Sequence, residues 1–234
     1  MTSSPARRPP AEAWGWIVKL FVDSANVETI EALVPLRVVD GVTTNPSLLA
    51  RESGDPHETL ERICRAVRGP VSAEVVATDA DGMIGEGRRL AGIDEHIVVK
   101  VPFGKEGVKA CAALSGEGVR VNVTLIFSPA QALLAAKVGA TFVSPFVGRL
   151  DDVATGGMDL VSQIVEIYEN YEFETEVLVA SVRGPAHVVE AARMGADICT
   201  CPPKVIDMLF NHPLTDIGLA KFLADWERAQ ALKA

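Results

Sequence analysis

A lysine closes an otherwise apolar run, Ile97-Val98-Val99-Lys100-Val101, and Pro102 follows at once. A charged amine in so apolar a strand is costly to bury unless it is paired or neutralised. Burial of an amine favours its neutral form, and a neutral amine attacks carbonyl carbon. The chemistry expected of Lys100 is therefore an imine with a carbonyl substrate. The competing reading is a lysine that snorkels from a strand end into solvent. Lys19 is a weaker candidate, because it lies before the end of its own apolar run. Imine formation moves protons, so Lys100 needs acids and bases beside it. Glu74, within Val71-Ser72-Ala73-Glu74-Val75-Val76, and Asp23, after Phe21-Val22, are the carboxylates offered by neighbouring runs. Their plainer readings are a salt-bridge partner for Lys100 and a helix N-terminal acid.

Other polar residues interrupt the ends of the remaining apolar runs: Thr43, Asn45, Asn122, Thr124, Ser144, Arg149, Ser181 and Arg183. Two arginines and a serine late in the chain suit a phosphate, which a guanidinium grips with two parallel hydrogen bonds. Loop arginines turned to solvent are the alternative. His57, His96, His187 and His212 fall in helical or connecting segments, and none reads as catalytic. Cys64, Cys111, Cys199 and Cys201 lie in apolar contexts and read as reduced core thiols. Cys199-Thr200-Cys201 has no histidine cluster to complete a metal site, and with an imine on Lys100 as the electron sink neither a metal nor an organic cofactor is expected.

The elements that must carry these residues alternate. Short β-branched runs span Ile17–Val22, Gly41–Thr44, Val71–Ala77, Ile97–Val101, Val119–Phe127, Thr141–Val147, Val177–Val182 and Asp197–Cys201. Helical patterns separate them, beginning with Val27–Leu33 behind the cap candidates Ser24 and Asn26. Eight runs joined by helices imply right-handed βαβ units and a parallel sheet. Gly139 and Gly195 are expected to end helices in the left-handed conformation, with Gly92 and Gly116 doing similar work. The expected fold is a single-domain α/β (β/α)8 barrel over residues 17–234. An open doubly wound sheet competes, but no GxGxxG turn follows the first run. The tail reads as a short helix from Pro203 to Phe210 and a longer one from Leu214, more than barrel closure needs and suited to a neighbouring subunit. Residues 1–16 are polar and proline-rich, and are expected to be a flexible extension rather than a signal peptide.

Hydrophobic residues make up 48% of the chain and aromatics only 6%, so Ala, Val, Leu and Ile must build the interior. A net charge of -9 argues against general affinity for nucleic acid or an anionic membrane. A cytoplasmic protein is expected.

Five stretches carry a family resemblance: Phe21-Val22-Asp23-Ser24-Ala25, Gly41-Val42-Thr43-Thr44-Asn45-Pro46-Ser47, Val98-Val99-Lys100-Val101-Pro102, Asn122 to Ser128 and Ser144-Pro145-Phe146-Val147-Gly148-Arg149. In order and spacing the chain resembles the small bacterial transaldolases and the related fructose-6-phosphate aldolases, from about Leu20 to Trp226. The resemblance implies that Lys100 attacks a ketose carbonyl and that Asp23 takes the C4 hydroxyl proton. It implies that Glu74 and Thr124 hold a water for proton shuttling. Asn45, Asn122 and Ser144 match positions that bind hydroxyls of the dihydroxyacetone unit, while Arg149, Ser181 and Arg183 match the phosphate-binding set. Thr43 belongs to the same strand-end group. In the aldolases a glutamine matches Glu74 and a tyrosine matches Phe146, so this chain carries the transaldolase pattern. The implied partners are phosphorylated sugars and further copies of the chain, as a pentamer or decamer. A barrel that binds phosphate without covalent chemistry is the rival from another class.

Overall fold

The computed structural model describes residues 18–232, so the expected extension over residues 1–16 lies outside the described residues. Eight parallel strands close into a barrel in chain order: β1 (Lys19–Asp23), β2 (Gly41–Thr43), β3 (Val71–Glu74), β4 (Ile97–Pro102), β5 (Val121–Ile126), β6 (Phe142–Pro145), β7 (Glu176–Val179) and β8 (Ile198–Cys201). Each expected run overlaps one strand, and β1, β4 and β7 each extend one residue beyond theirs. The strands stop short of several expected ends because the last residues of those runs turn into loops and short helices.

Strand parity decides what the barrel holds, since alternate residues face opposite sides. Val22, Val42, Val71, Ala73, Val99, Val101, Val121, Val123, Val143, Cys199 and Cys201 join the large core between strands and helices. Their neighbours of opposite parity point inward. Phe21, Val98, Phe142, Leu178 and Ile198 make a separate apolar cluster inside the barrel, where the Phe21 and Phe142 rings meet edge to face at 6.2 Å. Gly41 leaves the room for this: a Cβ there would sit 2.6 Å from the Phe21 ring. Two residues further along the same strands, the inward positions are Asp23, Thr43, Lys100, Ser144 and Thr200. An apolar floor thus supports a polar layer toward the C-terminal mouth.

The connecting helices are α1 (Val27–Leu33), α2 (Pro46–Leu49), α3 (Pro56–Val67), α4 (Ala80–Ala91), α5 (Lys105–Gly116), α6 (Pro129–Lys137), α7 (Val147–Asp151), α8 (Gly157–Asn170) and α9 (Pro185–Met194). Local chemistry starts them: Asn26 caps α1 through Thr29 N, Asn45 caps α2 through Leu48 N, and Ser128 with Gln131 forms a reciprocal box on α6. Gly139 and Gly195 take φ of 83° and 80°, as expected. Gly92 does not; at φ -76° it simply continues the right-handed turn of α4. Gly116 remains within α5, and the reversal falls on Gly118. Beyond β8 run α10 (Pro203–Phe210) and α11 (Pro213–Ala231). No residue of α11 is buried, although it carries Leu214, Ile217, Phe222 and Trp226.

Candidate active site

Lys100 comes from the fourth position of β4 and is 5% exposed. Its register partner on β3 is Glu74, whose carboxylate lies 3.0 Å from Lys100 Nζ. The amine also donates to Thr44 O at 3.1 Å. Lys100 therefore does not snorkel to solvent; it is paired and hydrogen-bonded inside the barrel wall. The expected neighbour relation with Glu74 follows from strand pairing alone.

Asp23, Thr43, Asn45, Lys100, Ser144, Phe146, Arg149 and Ser181 line one cavity of about 140 Å³ at the mouth. Leu178, Ala180 and Thr200 complete its wall. Asp23 keeps part of its surface open to this cavity. Burial raises its pKa above the ordinary carboxylate range, while a hydrogen bond from Thr43 and the nearby charge of Lys100 pull it back. The Thr43 hydroxyl donates to Asp23 Oδ1 at 2.8 Å. Asn45 uses its Oδ1 to cap α2, which leaves its amide nitrogen as the donor for a ligand. Asn122 is held from both sides: its Nδ2 donates to Ser72 Oγ at 3.1 Å and its Oδ1 accepts from Ser144 Oγ at 2.8 Å.

The far wall is built around Phe146. The Arg149 guanidinium stands over its ring, 5.0 Å from the centroid, and the Phe127 ring leans on it at 5.9 Å. Ser181 takes φ 60°, an uncommon left-handed conformation for a non-glycine residue. Its carbonyl accepts from Gly148 N at 3.1 Å, and a Cβ on Gly148 would collide with that carbonyl and with the Arg183 side chain. The absence of a side chain at residue 148 lets the two segments meet here.

Four expected site residues do not line the cavity; one of them, Asn122, is tied to its wall through Ser144. Arg183 turns outward to Asp152 at 2.6 Å, with both side chains more than half exposed. Glu74 touches Lys100 but lines a second cavity of about 400 Å³ between α2, α3 and α4. Thr124 precedes a bulge: Leu125 takes φ 61° and the β5–β6 register shifts between Val123 and Ile126. Its Oγ1 is buried with no hydrogen-bond partner, the kind of orphan that an ordered water satisfies. Sequence reasoning missed Thr200, whose hydroxyl lies 2.6 Å from that of Thr43. The signal was present in Cys199-Thr200-Cys201: if the cysteines face the helices, the residue between them faces the barrel.

A buried lysine amine, two carboxylates and an arginine at the C-terminal mouth of a (β/α)8 barrel define an enzyme-like site. The chain matches the Transaldolase/Fructose-6-phosphate aldolase family over residues 20–233, and it belongs to that family. It is 60% identical over 210 residues to a "Probable transaldolase" of Methanococcus maripaludis, covering 90% of this chain and 98% of that one. A "Probable transaldolase" of Myxococcus xanthus is 60% identical over 212 residues, covering 90% and 95%. One from Syntrophobacter fumaroxidans is 56% identical over 217 residues, covering 91% and 98%. Among solved structures, the carboxyl transferase domain of Rhizobium etli pyruvate carboxylase shares the fold, with a TM-score of 0.58 at 11% identity, over 80% of this chain and 40% of that one. Among the described residues no helix is long and apolar enough to cross a membrane.

The Lys100–Glu74 pair has a measurable consequence. Glu74→Leu strands an amine in the wall and should lower unfolding free energy by about 1.5–3 kcal/mol. The double variant Glu74→Leu with Lys100→Met should recover most of that loss in urea titrations. A loss in the double variant equal to the sum of the losses in Glu74→Leu and Lys100→Met alone would mean that the pair contributes no coupling.

Proposed function

We propose that the chain is a transaldolase. It moves a dihydroxyacetone unit from sedoheptulose 7-phosphate to glyceraldehyde 3-phosphate, giving erythrose 4-phosphate and fructose 6-phosphate. The observation that carries this reading is the buried amine of Lys100 held 3.0 Å from the Glu74 carboxylate, with Asp23 and Arg149 on the same cavity as that amine. The same proposal assigns the enzyme to the non-oxidative pentose phosphate pathway in the cytoplasm.

In this mechanism Lys100 gives its proton to the Glu74 carboxylate and adds through Nζ to the ketose C2 carbonyl. A water bridged between Glu74 and the orphaned Thr124 hydroxyl carries protons as the carbinolamine loses water to become an iminium. Asp23 then takes the C4 hydroxyl proton. The C3–C4 bond breaks, its electron pair flows into the iminium, and the aldose phosphate leaves. The enamine that remains on Lys100 attacks the acceptor aldehyde, Asp23 returns the proton to the new C4 oxygen, and water hydrolyses the iminium. Asn45, Asn122 and Ser144 hold hydroxyls of the three-carbon unit, Thr43 orients Asp23, and Arg149 with Ser181 binds the phosphate. Arg183 joins them by leaving Asp152, a move that costs little because an exposed ion pair contributes only about 0–1 kcal/mol.

Phe146 supports transfer over release. Its ring lines the cavity with no hydroxyl to protonate the enamine, so the intermediate waits for an aldehyde. The rival outcome is aldolase activity that liberates dihydroxyacetone from fructose 6-phosphate. With fructose 6-phosphate alone, free dihydroxyacetone should form at under about one hundredth of the rate of transfer to erythrose 4-phosphate, a barrier difference of roughly 2.7 kcal/mol. Phe146→Tyr should raise the release, and Lys100→Arg should abolish both activities while keeping the charge. Release as fast as transfer by the unaltered enzyme would make it an aldolase.

The same proposal makes the protein a homo-oligomer, a pentamer or decamer, with α11 packed on a neighbouring copy. Its support is a 19-residue helix with no buried residue and with Phe222 and Trp226 at 71% and 64% exposure. Phe222→Glu with Trp226→Glu should shift the sedimenting species to monomer. An unchanged assembly in that variant would exclude α11 from the interface.

A further inference from the structure

Thr43 and Thr200 belong to β2 and β8, the two strands that flank β1, and each exposes only 2% of its surface. Their hydroxyl oxygens meet inside the barrel at 2.6 Å, across the inner face of β1. The Thr43 oxygen also lies 2.8 Å from Asp23 Oδ1. A hydroxyl has one proton to donate, and an ionised carboxylate has none. While Asp23 is ionised, the Thr43 proton is therefore committed to it. The contact with Thr200 then has a single polarity, with Thr200 donating and Thr43 accepting.

We propose that Thr200 is a positioning residue of the reaction, the outer member of a hydrogen-bond relay that runs from Thr200 through Thr43 to Asp23 and steadies the ionised carboxylate at the cavity. Donation into the Thr43 oxygen polarises the Thr43 O–H and strengthens the bond it makes to Asp23. The same three oxygens serve the protonated acid. Once Asp23 has taken the substrate proton on its other oxygen, Thr43 still donates to Oδ1 and Thr200 to Thr43, though a neutral acid is a weaker acceptor than a carboxylate. The carboxyl group changes protonation state without moving a heavy atom. This inference rests on the reading of Asp23 as the base of C–C cleavage.

The charged groups around Asp23 are Lys100 from β4, whose charge acts on it directly, and Arg149 from α7, on the same cavity. Glu74 from β3 faces Lys100. Burial raises the Asp23 pKa and the bond from Thr43 lowers it, so weakening that bond must raise it further. Neither threonine is charged. A change at residue 200 alters the relay and leaves every charge in place.

The near-isosteric Thr200→Val removes the outer donor. The Asp23 carboxyl titration, followed by 13C NMR and assigned with Asp23→Asn, should move up by about half a pH unit, a fraction of what one hydrogen bond to a charged group is worth. The acid limb of kcat/KM for ketose cleavage should move with it, losing about threefold below the limb. Thr200→Ser, which keeps the hydroxyl, should restore both. If the valine variant fails to fold, Thr200→Ala removes the same hydroxyl without adding a methyl group and must shift the titration the same way. An unmoved Asp23 titration in folded Val or Ala variants would overturn the relay. So would an equal shift in the serine variant, which would mark the effect as steric. A shifted titration with an unmoved acid limb would instead overturn Asp23 as the base, and with it the part of Thr200 in the reaction.

Discussion

A buried amine paired with a partly buried carboxylate in the barrel wall is the constraint that the rest of the site obeys. Lys100 is 5% exposed and 3.0 Å from Glu74, in a setting where an unpaired charge would be costly. The pair forms because Glu74 and Lys100 are register partners on adjoining strands. A one-residue slip of β4 against β3 would send Lys100 into the helix layer, where Val99 and Val101 now pack, and leave Glu74 without its partner. Register, barrel closure and the position of the amine are thus one fact seen at three scales.

The apolar floor explains how so many polar groups stand in one place without flooding the interior. Phe21, Val98, Phe142, Leu178 and Ile198 fill the barrel below the site. Above them most of the polar side chains are tied to one another: Ser72 to Asn122, Asn122 to Ser144, Asp23 to Thr43 and Thr43 to Thr200. Thr124 is the exception, its buried oxygen left without a partner at the bulge in β5. A rigid, hydrogen-bonded layer with one open acceptor is suited to hold a substrate in a fixed pose and to admit a single water.

Much of this was legible in the residues. Eight β-branched runs separated by helical patterns predict eight strands, and parity within Ile97–Val101 puts Lys100 on the side opposite Val99. What the sequence withheld was direction beyond the strand ends. Arg183 sits two residues from Ser181, yet the left-handed turn at Ser181 sends the chain toward Asp152 rather than into the cavity. Strand pairing sets Glu74 beside Lys100, but that Glu74 also lines a second cavity among the helices was not legible in the sequence. Thr200 was not legible as a site residue because a lone threonine between two core cysteines looks like an ordinary interior strand position. The glycines at residues 92 and 116 look like left-handed caps, but where each helix ends depends on its last hydrogen bonds.

The central claim, that Lys100 carries the substrate as an imine, is tested most directly by borohydride reduction in the presence of fructose 6-phosphate, followed by peptide mass mapping. The predicted result is a single reduced three- or six-carbon adduct on Lys100, absent from Lys100→Arg. No adduct, or one confined to another lysine such as Lys19, would contradict the account.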